Sequence, residues 1–276
     1  MTTPYETKSG ASGLAEERLA LPGVLRPWFV GAAFTSVDGE LREPFTHVPD
    51  AATKMVVRVE ENGRRDVLVV GPRTRASYHA SKRLASCVEL RLGPGAARPL
   101  LGVAAVDLVG RVAPLGDFPG AHAAQLADEL IPLKPEQVVP HLAEALPERL
   151  TPADPSRTGL LRAAVAAMST DEGHLPLGVR ELAGRLAVSE RQLRNLFADG
   201  IGISPKHYAR IARVRHILTH ARSAPDTPWA QLAIATGYYD QSHMTADFRT
   251  LMGVPPTSFF TGRLPGPQPC QAFRRA

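Results

Sequence analysis

Cysteine is scarce in this chain, which has only Cys87 and Cys270 among its 276 residues. The two lie in different regions and lack the paired spacing of a metal site, so neither a cysteine metal centre nor a disulfide framework is expected. Such sparse use of cysteine is typical of a reducing compartment. An apolar run of membrane-spanning length is missing as well, and so is a signal-peptide pattern. We therefore expect a cytoplasmic protein with no membrane partner.

The residue patterns of common active sites are also missing. There is no nucleophile with an adjacent base, no credible pair of catalytic acids and no glycine-rich phosphate loop, which argues against an enzyme. An enzyme with a DNA-binding appendage would need a reactive cysteine, whereas Cys87 lies in a plain strand pattern. His47 and His79 stand alone, without the His-x-His cluster of a metal-binding cupin. His216 and His220 have the spacing of a zinc pair but no third ligand, so no metal and no cofactor are expected.

The charge balance favours a polyanionic partner. The formal net charge is +5 and the sequence pI is about 9.5. Residues 158–263 contain twelve Lys and Arg against eight Asp and Glu, a net charge of +4. Most of the positive excess therefore lies in the carboxy-terminal part of the chain.

The most informative pattern is a repeat within residues 179–260. The matching landmarks are Leu182, Ala183, Phe197 and Gly202 in the first copy and Leu232, Ala233, Phe248 and Gly253 in the second. Each copy has the periodicity of a helix, then a turn, then a second helix. The repeat predicts two helix-turn-helix units, a motif that places its second helix in the major groove of DNA.

Turn and capping residues support both units. Ser189 followed by Gln192 is a capping-box pattern and predicts the start of the first recognition helix, while Asp240 is the predicted N-cap of the second. Gly237 is predicted to take a left-handed conformation where the preceding helix ends. Ala187 stands at the equivalent place in the first unit, where the same conformation costs roughly 1 kcal/mol.

Core-facing leucine and phenylalanine side chains leave a polar face on each predicted recognition helix. The candidate DNA-binding residues are Glu190, Arg191, Arg194 and Asn195 on the first helix and Gln241, Ser242, His243 and Thr245 on the second. Arginine pairs well with guanine and asparagine with adenine, so the first face suits base edges. Surface salt bridges to Glu190 or Asp199 are the alternative for the two arginines, but the duplicated scaffold leaves this face for DNA.

The segment from Leu232 to Pro256 resembles the signature of the AraC/XylS family of bacterial transcription regulators, and the resemblance covers about the last two-fifths of the chain. It implies two helix-turn-helix subdomains that are joined by a long helix and enter successive major grooves of double-stranded DNA. The family usually has Arg where this chain has Ala246, followed here by Asp247. The resemblance therefore implies that sequence reading rests mainly on the first helix, or on DNA shape.

The same resemblance assigns roles and partners. Arg191, Arg194 and Asn195 match family positions that read bases or phosphates, and Gln241, Ser242, His243 and Ala246 match those of the second helix. Double-stranded DNA is the implied partner. RNA polymerase, an unknown small-molecule effector and a second copy of the chain are further candidate partners.

The amino-terminal part has the pattern of strands. The predicted strands lie at 54–60, 66–71 and 87–93, and the first two form a hairpin. Frequent Pro and Gly residues between them favour a compact barrel or sandwich. Residues 26–29, 71–72, 89–97 and 100–102 are similar to an uncharacterised amino-terminal domain of some AraC-type regulators. That similarity implies a signal-sensing domain, with a domain that only dimerises as the alternative.

Helical patterns follow this region. One apolar stripe contains Leu126, Leu130 and Ile131, and a second contains Val138, Leu142 and Leu146. These helices either pack across a dimer or complete the core of the first domain. Further on, 157–168 is predicted to be the first helix of the DNA-binding domain, and 204–221 the connecting helix, capped by Ser204.

The predicted fold class is α+β, with a mostly β amino-terminal barrel or sandwich, some helices, and then an all-α domain with two helix-turn-helix units. The predicted divisions are a flexible tail (1–20), a ligand-sensing and dimerisation domain (21–150), a linker (151–156), the DNA-binding domain (157–262) and a disordered tail (263–276). The predicted function is a sequence-specific DNA-binding transcription regulator controlled by a small-molecule ligand of the amino-terminal domain. The alternative is a metabolite sensor that acts mainly through protein contacts and has a weakened DNA-binding domain.

Overall fold

The computed structural model describes residues 14–37, 45–80, 84–168 and 177–268. Strands dominate its amino-terminal half, and helices make up the carboxy-terminal half. This arrangement confirms the predicted fold class. The predicted hairpin and the strand after it are also present, with the boundaries given below.

The main sheet is antiparallel and open. Its strands are β1 (Leu14–Leu19), β2 (Phe29–Val37), β4 (Lys54–Val59), β5 (Arg65–Val70), β7 (Ser86–Leu92) and β8 (Val112–Pro114). They pair in the order β1-β2-β7-β4-β5-β8, and a separate pair consists of β3 (Phe45–His47) and β6 (Ser77–His79). Of the predicted barrel or sandwich, the closed barrel is not formed, because, among the described residues, the six-stranded sheet has two free edges. The edge strand β8 is only three residues long and ends at a proline, which has no N–H to donate to a further strand.

The first strand corrects the prediction of a flexible tail up to residue 20. Leu14–Leu19 pairs residue by residue with β2, from Leu14 opposite Val37 to Leu19 opposite Ala32. The side chains of residues 15–18 are exposed, so no apolar pattern marks the strand. Backbone hydrogen bonds to β2 define it instead. The rest of the predicted tail, residues 1–13, lies outside the described residues.

Three helices cover the main sheet and complete its core. They are α1 (Ala97–Leu101), α2 (Ala123–Leu130) and α3 (Pro135–Arg149). The buried side chains of both predicted stripes, Leu126, Leu130, Val138, Leu142 and Leu146, pack in one cluster with strand residues such as Val57 and Leu90. These residues thus complete the first core, one of the two predicted alternatives. Ile131 follows the end of α2 and is 36% exposed, so its assignment to the stripe is wrong.

The carboxy-terminal half is built from helices around a second core. They are α4 (Pro155–Met168), α5 (Val179–Arg185), α6 (Glu190–Gly200), α7 (Pro205–Ser223), α8 (Trp229–Ala235), α9 (Gln241–Met252) and α10 (Pro256–Phe260). Phe197 and Phe248 are fully buried in this core. Ser204 caps the connecting helix α7 by accepting a hydrogen bond from the His207 amide at 3.2 Å. The first helix begins at Pro155, inside the predicted linker, since proline suits a first helical turn.

The two halves are joined by hydrogen bonds at the small sheet. The Ala76 amide donates to the Leu251 carbonyl at 2.7 Å, and the Tyr78 hydroxyl donates to the Met252 carbonyl. Burial raises the pKa of Tyr78 to about 12, so its hydroxyl keeps its proton for this bond. The Gln268 amide donates to the Tyr78 carbonyl at 2.8 Å. The predicted disordered tail is therefore ordered as far as Gln268, and the remainder, 269–276, lies outside the described residues.

A buried charge cluster lies at the same junction. Asp50 is 7% exposed and accepts hydrogen bonds from Arg91 of β7, with the shorter contact at 2.7 Å. Lys54 Nζ lies 3.1 Å and Arg215 Nη1 of α7 lies 3.7 Å from its Oδ2 atom. Burial acts to raise the pKa of Asp50, but the charges of Arg91, Lys54 and Arg215 outweigh it and hold that pKa well below its usual range. The Arg215 guanidinium also donates to the Pro49 carbonyl at 3.1 Å, which ties α7 to the amino-terminal domain.

Within the described ranges, no helix is both long enough and apolar enough to cross a membrane.

Candidate nucleic-acid interface

Both predicted helix-turn-helix units are present, and their turns share one set of backbone hydrogen bonds. In the first unit, Leu186 N donates to Leu182 O at 3.0 Å and Val188 N to Ala183 O at 3.0 Å. In the second, Thr236 N donates to Leu232 O at 3.0 Å and Tyr238 N to Ala233 O at 2.9 Å. Each donor and acceptor of the second unit lies 50 positions after its counterpart in the first. The repeat in the sequence is thus a repeat of backbone geometry.

The turn residues adopt the predicted left-handed backbone conformations and form the predicted helix caps. Ala187 has φ of +52° and Gly237 has φ of +78°, both left-handed. Ser189 and Gln192 form the capping box, with Gln192 N donating to Ser189 Oγ at 3.1 Å. Asp240 caps α9 by accepting from His243 N at 2.7 Å. These contacts fix where α6 and α9 begin, and so set the direction of both helices.

The second turn is one residue longer than the first, and the extra residue is Tyr239. Its side chain is 91% exposed, while the preceding Tyr238 is buried. The insertion therefore projects into solvent and leaves the packing of the turn unchanged. It places an aromatic ring immediately before the start of α9.

On α6, the predicted face points to solvent. Arg191, Arg194 and Asn195 are exposed, and Glu190 is partly exposed. Arg194 Nη2 donates to Glu190 Oε2 at 2.7 Å, so one of the salt bridges considered as an alternative does form. The two side chains are 59% and 42% exposed, and a pair of this kind on a helix surface stabilises by only about 0.3–0.5 kcal/mol. The ion pair therefore holds the Arg194 side chain only weakly.

The carboxy-terminal end of α6 lies beside the amino-terminal domain. Asn195, Ala198 and Asp199 line a shallow, open depression together with residues of that domain and of α4. Asp199 accepts from Arg98 Nη2 at 2.9 Å and from Arg157 Nη2 at 3.1 Å. Arg191 and Arg194 do not line this depression, whereas Asn195 does.

On α9, most of the predicted residues share one groove. The residues that line it are Gln241, Ser242, Thr245, Ala246, Arg249 and Thr250. The prediction missed Arg249 and Thr250, although Ser242, Thr245 and Arg249 follow the helical spacing that would have identified them. His243 lies apart from the groove residues, because its ring packs edge-on against Tyr238 at 5.3 Å. Arg249 thus supplies this face with a long cationic side chain.

Asp247 does not present its charge to this groove. It is 8% exposed and turned inward, where its Oδ1 atom lies 2.8 Å from Arg210 Nη2 of α7. Arg213 lies 3.5 Å from Oδ2 and stacks over the Tyr238 ring at 4.8 Å. Burial raises the pKa of Tyr238 to about 12, so that residue stays neutral in the cluster. These contacts brace α9 against the connecting helix.

Within the described parts of the chain, no group of three or more His, Cys, Asp or Glu side chains is placed to hold a metal ion.

Part of the chain matches one family model, and several solved structures are similar to it. A family model described as a helix-turn-helix domain matches residues 182–262. Similar solved structures include a transcriptional regulator with an AraC-type DNA-binding domain from Chromobacterium violaceum, at 23% identity over 41% of this chain and 96% of that one, with a TM-score of 0.32. A second similar structure is the DNA-binding domain of AdpA, described as the global transcriptional factor, in complex with a target DNA. It has 19% identity over 40% of this chain and 93% of its own, with a TM-score of 0.33.

ToxT from Vibrio cholerae has 11% identity over 92% of this chain and 100% of its own, with a TM-score of 0.39. No curated protein sequence matches the chain significantly. The family match spans α6, α9 and the connecting helix α7 between them. Residues 182–262 of the chain therefore form a helix-turn-helix domain.

Proposed function

We propose that the chain is a sequence-specific DNA-binding transcription regulator, with α6 as its main reading helix. The observation that carries this proposal is the exposed polar face at the start of α6, with Arg191, Arg194 and Asn195 on rigid backbone directly after the capping box. Arginine can donate two hydrogen bonds to guanine and asparagine can pair with adenine, so the face can discriminate between bases. No covalent chemistry is required.

In this proposal α9 mainly contributes affinity. Its groove holds Arg249 and the hydroxyl and amide groups of Ser242, Thr245 and Gln241, which suit phosphate and sugar oxygens. The Ala246 side chain has no polar group, and the Asp247 carboxylate accepts a hydrogen bond from Arg210. Phosphate contacts on both helices then give binding that weakens with salt, and α6 supplies most of the sequence dependence.

Replacing Arg194 by alanine is expected to weaken binding to the cognate duplex by on the order of 1–3 kcal/mol, because a bidentate base contact is lost. The cognate site is first selected from random duplexes with the wild-type chain, and affinities are then compared at one fixed salt concentration. Arg194→Lys keeps the charge but not the bidentate geometry, so it should lose discrimination while it keeps its salt dependence. Arg64→Ala removes the same charge from an exposed hairpin turn and should leave affinity unchanged. Equal affinity of the wild type and Arg194→Ala for the selected site would refute the role of Arg194.

We further propose that the amino-terminal domain binds a small-molecule effector and thereby controls DNA binding by the carboxy-terminal helices. Binding of an effector is implied by the resemblance of this domain to an uncharacterised domain of AraC-type regulators, and control is supported by its direct contacts with α7 through Arg215 and with the end of α9 through Tyr78. A change of shape in the sheet would reach both recognition helices along these contacts. RNA polymerase and a second copy of the chain are the further partners that we propose for such a regulator.

The effector proposal is tested by a thermal-shift screen of small metabolites on the full-length chain, followed by DNA affinity measurements with each hit. A compound that stabilises the chain and changes its affinity for the selected duplex supports the proposal. Hits that stabilise a chain with no salt-dependent duplex binding favour the alternative, a sensor that acts through protein contacts.

A further inference from the structure

The depression beside Asn195 has walls from both halves of the chain. One wall is the end of α6, and the other combines the amino-terminal domain with α4. Its lining residues are Arg98, Ala104, Val106, Arg157, Asn195, Ala198 and Asp199. A residue proposed to read a base thus shares a surface with side chains outside the family match.

Two guanidinium groups share a single carboxylate at this surface. Arg98 donates to Oδ1 of Asp199 at 2.9 Å, and Arg157 donates to Oδ2 at 3.1 Å. The arginine side chains are 61% and 56% exposed, so solvent screens both ion pairs and weakens them. Each guanidinium has five N–H donors, and Asp199 occupies only part of that capacity. The three side chains together carry a charge of +1 and have donors left for an anion.

The location of these arginines relative to α6 indicates which anion would reach them. The major groove is about 12 Å wide, and an α-helix with its side chains is about 10–12 Å across. A helix that enters the groove therefore fills it, and groups beside the helix meet the phosphates along its rims. Arg98 and Arg157 are beside α6, because both contact Asp199 in its last turn.

We propose that Arg98 and Arg157 bind backbone phosphates of the duplex that α6 enters, so that the amino-terminal domain is itself part of the DNA interface. The inference rests on the proposed function of α6 as a recognition helix. Asp199 holds the two side chains in place before DNA arrives and competes with phosphate for them. DNA affinity then depends on how the amino-terminal domain is docked against α6.

The test is the salt dependence of duplex binding by the full-length chain on its selected site. Each lost phosphate contact flattens the slope of log affinity against log salt by about 0.9. Arg98→Ala and Arg157→Ala should each show this change, with similar loss on specific and non-specific duplexes. Arg64→Ala, which removes an equal charge from the exposed hairpin turn, should keep the wild-type slope. Asp199→Asn should raise affinity by more than Asp226→Asn, an exposed control with the same change of charge.

Loss of domain packing is separated from loss of a phosphate contact by Arg98→Lys, which keeps the charge and should keep the slope. An unchanged slope in both alanine variants, or equal flattening in Arg98→Ala and Arg98→Lys, overturns the inference. A gain of affinity in the alanine variants also overturns it, because the arginines would then hold the amino-terminal domain across the DNA-binding face. A wild-type chain without salt-dependent duplex binding contradicts the proposed function itself, so the two failures are distinguishable.

Discussion

Replacing Asp50 by asparagine should lower the free energy of unfolding by about 3 kcal/mol at neutral pH. The substitution leaves Arg91 and Arg215 at the domain junction without their carboxylate, and loss of one partner from a buried ion pair costs about 3–5 kcal/mol. The lower end applies because the Arg91 side chain is 34% exposed and keeps part of its hydration. Urea unfolding of the full-length chain measures the change. Asp226→Asn, at an exposed position, is the matched control and should stay within about 0.5 kcal/mol of the wild type.

The stability that Asp50 contributes should be lost at acidic pH. The pKa of Asp50 is lowered in the folded chain, so its contribution to stability is fully present above its ordinary pKa of 3.8 and is lost as the pH falls through the lower folded value. The difference in the free energy of unfolding between the wild type and Asp50→Asn should therefore be constant from pH 7 to pH 5. It should become smaller below about pH 4. A gap that narrows between pH 7 and pH 5, or a neutral-pH loss below about 0.5 kcal/mol, would contradict the structural role of Asp50.

Gly202→Ala should destabilise the chain by about 2–5 kcal/mol. Gly202 has φ of +97°, and a Cβ atom there would lie 2.4 Å from the Ala105 carbonyl oxygen of the amino-terminal domain. The left-handed conformation costs a non-glycine residue about 1–2 kcal/mol, and overpacking against backbone adds about 1–3 kcal/mol. Thermal or urea unfolding measures the loss.

The duplication in the chain provides the control for this substitution. Gly253 is the counterpart of Gly202 in the second unit and has φ of +79°, but an added Cβ would find its nearest neighbour, Pro265 Cγ, at 3.9 Å. Gly253→Ala should therefore show the conformational cost alone, about 1–2 kcal/mol. Equal losses in the two variants would mean that the contact between α6 and the amino-terminal domain is not tight in solution.

The helix-turn-helix units could be predicted from sequence because their signals are local. Ser189 and Gln192 are three residues apart, and the left-handed position at Gly237 has its counterpart at Ala187. Each of these patterns depends only on residues within one turn of the backbone. It can therefore be recognised without knowing the rest of the fold. The recurrence of the whole pattern then distinguished a duplicated DNA-binding scaffold from two unrelated helix pairs.

The joining of the two halves could not be predicted, because its residues are distant in sequence. Asp50 and Arg91 are 41 residues apart, and Arg215 comes from the other domain. No periodicity links three such positions, and charged residues in strands are usually solvated. The depression beside Asn195 was missed for the same reason, since Arg98 and Arg157 precede the duplicated region.

Two local errors have physical causes of a different kind. The strand at Leu14–Leu19 is held by backbone pairing while most of its side chains remain exposed, so hydrophobic patterning carries no signal for it. On α9, the predicted face ended at Ala246, although one further turn reaches Arg249 and Thr250. The inward orientation of Asp247 depends on Arg210 in another helix, so sequence spacing alone could not establish it.

We propose that α6 and α9 enter successive major grooves on one face of a duplex. Hydroxyl-radical footprinting of the chain on its selected site measures whether both helices contact the DNA. We expect two protected stretches on one face, about 10 base pairs or roughly 34 Å apart. The α6 double variant, Arg191→Ala with Arg194→Ala, should lose one protected stretch. In the α9 double variant, Gln241→Ala with Arg249→Ala, protection of the other stretch should weaken. A single protected stretch that neither pair of substitutions changes would show that α6 and α9 do not enter two major grooves.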